Sequence, residues 1–375
     1  MKRNLIIFGT RPEAIKMVPV YEEFIKNSHL FETKICVTAQ HREMLDQVLQ
    51  FFGVHPDYDL DIMRRDQNLY TLTGEILKKL KDVIEDFKPD YIYVHGDTTT
   101  SMVAALAGFY SGITVCHVEA GLRTYNKWSP FPEEINRQLT GRLADFHFAP
   151  TEQARQNLLN EGVDEGKICV TGNTVIDALF KGMNLLKTYS DDEEIEKLKS
   201  HIQTDKKIIL VTGHRRENHG KGFEHICEAL KRVSRMKDVI IIYPVHPNPN
   251  VKNVVYECLG NCENIHLISP LGYPAFIWLM SISFVILTDS GGVQEEAPSL
   301  GKPVLVMRDT TERPEAVEAG TVVLVGTDHN KIYETVADLL TDKKSYLRMS
   351  TSTNPYGDGK AGKRIVDFIK TLVEK

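Results

Sequence analysis

The sequence predicts an α/β protein built of two doubly wound, Rossmann-like domains. Short runs rich in Val and Ile alternate with amphipathic helical stretches along most of the chain. That alternation is the pattern of parallel sheets covered by helices on both faces. It is interrupted once, at Ser190-Asp191-Asp192-Glu193-Glu194, and then resumes. A length of 375 residues accommodates two domains of ordinary size.

The first series opens on Leu5-Ile6-Ile7-Phe8. Strands are predicted near 4–8, 33–38, 90–94, 113–118, 145–149 and 167–170, where β-branched residues concentrate. Helices fall between them, near 12–26, 41–52, 69–87, 98–110, 132–142 and 151–161. Pro12 and Pro132 suit first helical turns, where a missing N–H forfeits no bond. The second series has strands near 207–212, 238–243, 264–268, 284–287, 303–306 and 321–325. The first domain is therefore expected over 1–172 and the second over 173–359, with the linking segment somewhere in 170–200. A final helix within 360–375 follows Asn354-Pro355-Tyr356-Gly357 and is expected to pack back on the first domain.

Composition excludes several classes. The hydrophobic fraction of 42% and the charged fraction of 26% are those of a soluble globular protein. The net charge is −6 with no block of like charge, so a general nucleic-acid binder is not expected. No apolar run approaches the roughly 20 residues that span a bilayer. The apolar stretch after Lys2-Arg3-Asn4 is too short for a signal-peptide core. These features point to a cytoplasmic protein. Of the six cysteines, Cys36, Cys116 and Cys169 sit in predicted strands and are expected as buried, reduced thiols. Cys258 and Cys262 lack a second pair at zinc-site spacing, so no metal is expected.

Polar residues gather where predicted strands end, which is where open parallel sheets bind ligands. Gly9-Thr10-Arg11-Pro12-Glu13 joins the first strand to the first helix and aims N–H groups at an anion, with Arg11 as a planar cation. An ordinary tight turn with an exposed arginine is the alternative. In His95-Gly96-Asp97-Thr98, Asp97 suits either a helix cap or a catalytic acid. Glu119 directly follows an apolar strand, and Glu133 opens a helix, where acids also favour the helix dipole. Three acids at one sheet edge fit proton exchange with a substrate. In the second half, Gly213-His214-Arg215-Arg216 fits a pyrophosphate or a solvated charge run. Asp289-Ser290-Gly291-Gly292 allows close backbone approach to phosphate, and Glu296 is placed to reach ribose hydroxyls. Gly357-Asp358-Gly359-Lys360-Ala361-Gly362 imitates a dinucleotide fingerprint, but no strand precedes it and no βαβ unit can follow, so neither NAD nor ATP is indicated.

At these residues the chain resembles the non-hydrolysing UDP-N-acetylglucosamine 2-epimerase family. The matching stretches are Gly9-Thr10-Arg11-Pro12-Glu13, Gln40-His41-Arg42, His95-Gly96-Asp97-Thr98-Thr99-Thr100, His117-Val118-Glu119-Ala120-Gly121-Leu122-Arg123 and Pro132-Glu133-Glu134. They continue through Gly213-His214-Arg215-Arg216-Glu217-Asn218, Asp289-Ser290-Gly291-Gly292 and Arg313-Pro314-Glu315. The resemblance implies a glycosyltransferase-B-like fold with the active site in the interdomain cleft. It implies reversible epimerisation at C2 of UDP-N-acetylglucosamine (UDP-GlcNAc) to UDP-N-acetylmannosamine (UDP-ManNAc), without a cofactor. UDP is eliminated in anti fashion to leave 2-acetamidoglucal and then adds back, supplying ManNAc for surface polysaccharide synthesis.

By the same resemblance, Asp97, Glu119, Glu133 and His214 are catalytic. Arg11, Lys16, Phe276, Ser290, Gly291, Gly292, Glu296 and Arg313 hold the nucleotide sugar, with Glu296 on ribose and Phe276 stacked on uracil. Gln40, His41, Arg215 and His246 match a region that binds a second UDP-GlcNAc as an allosteric activator, and a homodimer is implied. Two departures, Glu43 and Arg64-Arg65-Asp66, fall in that second-site region. Competing readings are a hydrolysing epimerase that releases UDP and ManNAc, a transferase of the same fold, and a sensor that binds without turnover.

Overall fold

The computed structural model describes residues 1–39, 42–62, 67–189, 192–202 and 205–374. Two parallel sheets organise them. The first runs β1 (Lys2–Phe8), β2 (Phe31–Val37), β3 (Tyr58–Asp59), β4 (Tyr91–His95), β5 (Thr114–Val118), β6 (Phe146–Ala149) and β7 (Ile168–Val170). Its spatial order is β3-β2-β1-β4-β5-β6-β7. The second comprises β8 (Lys207–Thr212), β9 (Val239–Pro244), β10 (Ile265–Ile268), β11 (Val285–Thr288), β12 (Val304–Val306) and β13 (Val322–Leu324), in the order β10-β9-β8-β11-β12-β13. Strand order reverses between β1 and β4 in one sheet and between β8 and β11 in the other. Such reversal points leave a crevice at the carboxyl ends of the strands, where ligands bind.

The strands read as unbroken apolar runs because helices cover both faces of each sheet. Leu5, Ile7, Ile92, Val94 and Val103 form part of one core, and Ile209, Val211, Phe223 and Leu287 part of another; all are fully buried. Burial of each such side chain stabilises the fold by about 1.5–3 kcal/mol. The chain divides into Met1–Lys181 with Tyr356–Lys375, and Gly182–Pro355. Two helices, Thr174–Leu185 and Glu193–His201, occupy much of the stretch expected to link the domains. Asp192 caps the second of them by accepting from the Ile195 N–H at 3.0 Å. β3 was not anticipated; two residues carry no periodicity. Cys36 and Cys116 are buried as expected, whereas Cys169 is only half-buried, because it lies in β7 at the edge of the sheet.

The glycine-rich stretch near the C-terminus is a helix start. The last helix, Ala361–Val373, packs against the first, Arg11–Lys26, and a Cβ on Gly362 would lie 3.1 Å from the Pro19 carbonyl oxygen. Its leading N–H groups are already taken. The Asp177 carboxylate accepts from Ala361 at 3.1 Å and from Gly362 at 2.9 Å. An internal carboxylate thus occupies the helix-start N–H groups that a bound phosphate would use. Burial lifts the Asp177 pKa to about 6, against the lowering effect of those two N–H groups. Among the described residues no helix is long and apolar enough to cross a membrane.

Candidate active site

In the first unit the site grows from the turns that follow β1, β4 and β5. Gly9 is required in the first turn, since a Cβ there would lie 2.1 Å from the Thr38 hydroxyl and 2.6 Å from that of Thr100. Glu13, 2% exposed, ties this turn to the next. One carboxylate oxygen accepts from Gly9 N at 3.1 Å, Thr10 N at 2.9 Å and the Thr10 hydroxyl at 2.8 Å. The other accepts from the hydroxyls of Thr98 at 2.7 Å and Ser101 at 3.0 Å. Glu13 therefore fixes the start of the helix that carries Arg11 and Lys16 relative to the turn that carries Asp97. Sequence reasoning gave it no role; its spacing matches a capping box, which was the available signal.

Glu119 sits at φ +60° directly after β5, a left-handed conformation uncommon for a residue with a side chain. Its carboxylate pairs with Lys16, accepts from Asn173 Nδ2 at 2.8 Å and lies 3.7 Å from His95 Nε2. Burial alone would raise its pKa. Lys16 and His95 outweigh burial and hold it well below the usual carboxylate range. Glu119 is thus a nearly enclosed carboxylate held in its ionised form.

Asp97 does not cap the helix Thr99–Tyr110. Thr98 is the cap, its hydroxyl accepting from the Ser101 N–H at 3.1 Å. The Asp97 carboxylate is left free to meet Arg137, while Asn136 Nδ2 donates to the Asp97 carbonyl at 3.0 Å. Both partners lie on the helix Glu133–Leu143, three and four residues after Glu133, so all three share a helix face. Glu133 is half-buried and is thereby brought to the Asp97 side of the helix. Its neighbour Glu134 is fully buried and has a structural task. It accepts from the Thr124 and Tyr125 N–H groups, each at 3.0 Å, and from Gln138 Nε2 at 2.8 Å. Pro132 precedes the first helical turn as the cap residue and does not enter it. Asn136, Arg137 and Asn173 were not foreseen as site residues. Arg123 is held by Glu161 at 2.7 and 2.8 Å, which makes it part of the scaffold.

Beneath this edge lie two buried histidines, each 1% exposed. Burial, reinforced by neighbouring positive charge, lowers His117 to about 3 and His147 to about 4. Both pKa values fall below the unfolded value of 6.5, so the neutral rings favour the fold above pH 6.5. That stability is lost as pH falls toward 3–4. Each ring contributes a slope of up to about 1.4 kcal/mol per pH unit in that window. Urea unfolding across pH 6.5 to 4 should show a shallower pH slope in His147→Gln than in the parent, by about one proton's worth. Parallel slopes would remove His147 from the acid-sensitive set.

In the second unit the turn after β8 meets the turn after β11. Asp289 is fully buried, and one of its oxygens accepts from the N–H groups of His214 and Arg215, both at 2.8 Å. His214 Nδ1 lies 3.3 Å from the other oxygen, and the ring stacks on His246 with centroids 5.4 Å apart. Burial lowers the His214 pKa; Asp289 opposes that effect, and Arg215 and His246 add to it. Ser290 precedes the short helix Gly291–Glu296. Gly291 is needed because a Cβ would lie 2.5 Å from an Arg313 guanidinium nitrogen. Glu295 orients that guanidinium by accepting from Arg313 Nε at 2.7 Å. Glu296 closes the same helix, with a carboxylate oxygen 3.6 Å from a Cβ built on Gly292. Phe276, on the helix Tyr273–Ile282 after β10, is half-buried. Asp289 and Glu295 are organising acids that sequence reasoning left without roles.

The two sheets thus gather the candidates into two sets. Arg11, Lys16, Asp97, Glu119 and Glu133 lie at the carboxyl edge of the first. His214, Arg215, His246, Ser290, Gly291, Gly292, Glu296, Phe276 and Arg313 follow the strands of the second. Gln40 and His41, and the departure at Arg64-Arg65-Asp66, lie outside the described residues. Among the described residues no group of three or more His, Cys, Asp or Glu suits a metal ion.

This architecture has close counterparts. A crystal structure of UDP-GlcNAc 2-epimerase from Neisseria meningitidis bound to UDP-GlcNAc matches with a TM-score of 0.90 and 51% identity, covering 100% of both chains. The Methanocaldococcus jannaschii enzyme in complex with UDP-GlcNAc and UDP matches at 0.81 and 36%, covering 99% of this chain and 100% of the other. The fold is therefore the two-domain, glycosyltransferase-B-like one. The UDP-N-acetylglucosamine 2-epimerase of Yersinia pestis is 58% identical over 368 residues, 98% of each chain. The family model described as UDP-N-acetylglucosamine 2-epimerase matches residues 23–370. With the match covering nearly its whole length, the chain belongs to the UDP-N-acetylglucosamine 2-epimerase family.

Proposed function

We propose that this protein interconverts UDP-GlcNAc and UDP-ManNAc by reversible inversion at C2, as a non-hydrolysing epimerase. The observation that carries this reading is Glu119, a nearly enclosed carboxylate kept ionised by Lys16 and His95 in a strained conformation at the edge of the first sheet. Binding a dianionic nucleotide sugar does not call for an ionised carboxylate at this edge; stabilising a sugar ring that turns cationic does, and the ionised form is also the one able to receive the C2 proton. Breaking the C1–O bond builds negative charge on UDP and positive charge on the ring. Arg11, His214, Arg313 and the N–H groups of Gly291 and Gly292 suit the departing UDP, the Ser290 N–H being taken by the Thr288 hydroxyl at 2.9 Å. The carboxylates of Asp97, Glu119 and Glu133 suit the cationic ring and the C2 proton. Loss of that proton leaves 2-acetamidoglucal, and UDP then returns as a proton is delivered to the opposite face.

In this reading Glu296 holds ribose and Phe276 stacks on uracil. Arg215 and His246 serve a second, activating UDP-GlcNAc, and the enzyme is a cytoplasmic homodimer that feeds ManNAc to surface polysaccharide. Relatives whose structures hold UDP-GlcNAc, or UDP-GlcNAc with UDP, support the substrate class. The test is incubation with UDP-GlcNAc alone, followed by proton NMR of the products. UDP-ManNAc at equilibrium with substrate is expected. Free UDP with free ManNAc would make the enzyme a hydrolysing epimerase. Turnover only on adding a sugar acceptor would make it a transferase, and unchanged substrate would leave it a binder.

A further inference from the structure

Gly96, between β4 and Asp97, has φ +63°. A glycine in that conformation leaves the next peptide free to reorient. Two bonds from β5 remove the freedom. The Gly96 N–H donates to the Val118 carbonyl at 2.9 Å, and His117 Nε2 lies 2.7 Å from the Gly96 carbonyl oxygen. A carbonyl oxygen only accepts, so Nε2 carries the hydrogen. On the other side, Asn136 Nδ2 donates to the Asp97 carbonyl at 3.0 Å. We infer that His117 is a positioning residue for Asp97: its ring N–H fixes the Gly96–Asp97 peptide and so the direction in which the Asp97 carboxylate reaches substrate. This rests on the reading of Asp97 as a proton-handling acid.

Packing alone does not account for the ring. His117 is 1% exposed, and its Nδ1 is buried without a hydrogen-bond partner. An orphaned buried acceptor opposes folding, and leucine at this position would avoid it. Burial, with His147 beside it, keeps the ring neutral. It therefore offers a single donor at every working pH and takes no part in proton exchange. What it supplies is direction, and a displacement of about 1 Å in a reacting group can cost on the order of 10²-fold in rate.

The experiment is a cycle on the full-length enzyme, reading kcat and KM for UDP-GlcNAc. In His117→Gln the amide nitrogen reaches the place of Nε2 and keeps the donor; kcat within about threefold of the parent is expected. His117→Leu should lower kcat roughly 10- to 100-fold with KM within about twofold. Because the effect passes through Asp97, the double variant Asp97→Asn/His117→Leu should be no slower than Asp97→Asn within about twofold. Should His117→Leu not fold, His117→Asn, whose shorter amide falls away from the carbonyl, takes its place with the same expected loss. Full loss of turnover in folded His117→Gln would make the ring a proton-transfer group and overturn the inference. Parent-like kcat in His117→Leu beside a slow Asp97→Asn would overturn it while leaving Asp97 its role. Parent-like turnover in Asp97→Asn would overturn both. Additive losses in the double variant would overturn action through Asp97.

Discussion

Glu119→Gln is expected to lower turnover by roughly 10²-fold or more while leaving UDP binding largely intact. The substitution keeps size and the acceptor for Asn173 but removes the charge. An amide takes no proton at any working pH, so a step that depends on the ionised form is lost. The Lys16 side chain, 14% exposed, then loses the Glu119 charge beside it, and some stability should go with it. Circular dichroism and a UDP titration on the same sample separate that loss from the catalytic one. Asp97→Asn and Glu133→Gln should behave alike in rate. In Asp97→Asn the amide still meets Arg137 through its oxygen, so the fold is less disturbed. Turnover near that of the parent in any one of the three would remove that residue from the proton-handling set.

Much of the fold was legible because helices cover both faces of each sheet. Strands such as Leu5-Ile6-Ile7-Phe8 and Ile208-Ile209-Leu210-Val211 then read as continuous apolar runs, and the structure places β1 and β8 on them. What escaped lacked such a pattern. Tyr58–Asp59 is too short to show periodicity. The helix Glu193–His201 begins inside an acidic run that resembles a linker, although those same acids cap it and favour its dipole.

The site was legible at strand ends because chain topology alone delivers those residues to one edge. Arg11, Asp97 and Glu119 needed only the βα pattern. Their partners needed tertiary structure. Arg137 and Asn136 meet Asp97 from about forty positions away, and Asn173 meets Glu119 across fifty-four. No local spacing encodes those encounters. Asp97 itself looked like a cap because capping is a local rule; Thr98 satisfies that rule and releases Asp97 for Arg137. Glu13 was hidden the other way round, since its local role as a capping acid masks its longer reach to Thr98 and Ser101.

Turnover in D₂O is expected to place deuterium at C2 of essentially every UDP-ManNAc molecule formed. Inversion at C2 requires the loss of one hydrogen and the gain of another on the opposite face. The stretch Gly357–Gly362, which imitates a dinucleotide fingerprint, follows no strand, and Asp177 takes the N–H groups of its Ala361 and Gly362. In elimination and re-addition the incoming proton comes from an acid in exchange with solvent, and the half-buried Glu133 and the Asp97 carboxylate at the sheet edge offer that route. Label should also enter UDP-GlcNAc recovered from the mixture, because the reaction runs both ways through the same glucal. Arg11→Ala should take up label more slowly but at the same carbon, since Arg11 is assigned to UDP and not to the proton. Mass spectrometry and proton NMR of both sugars read all of this in one experiment. UDP-ManNAc that retains its original C2 hydrogen would sink elimination and re-addition, and would point to a hydride or internal transfer instead.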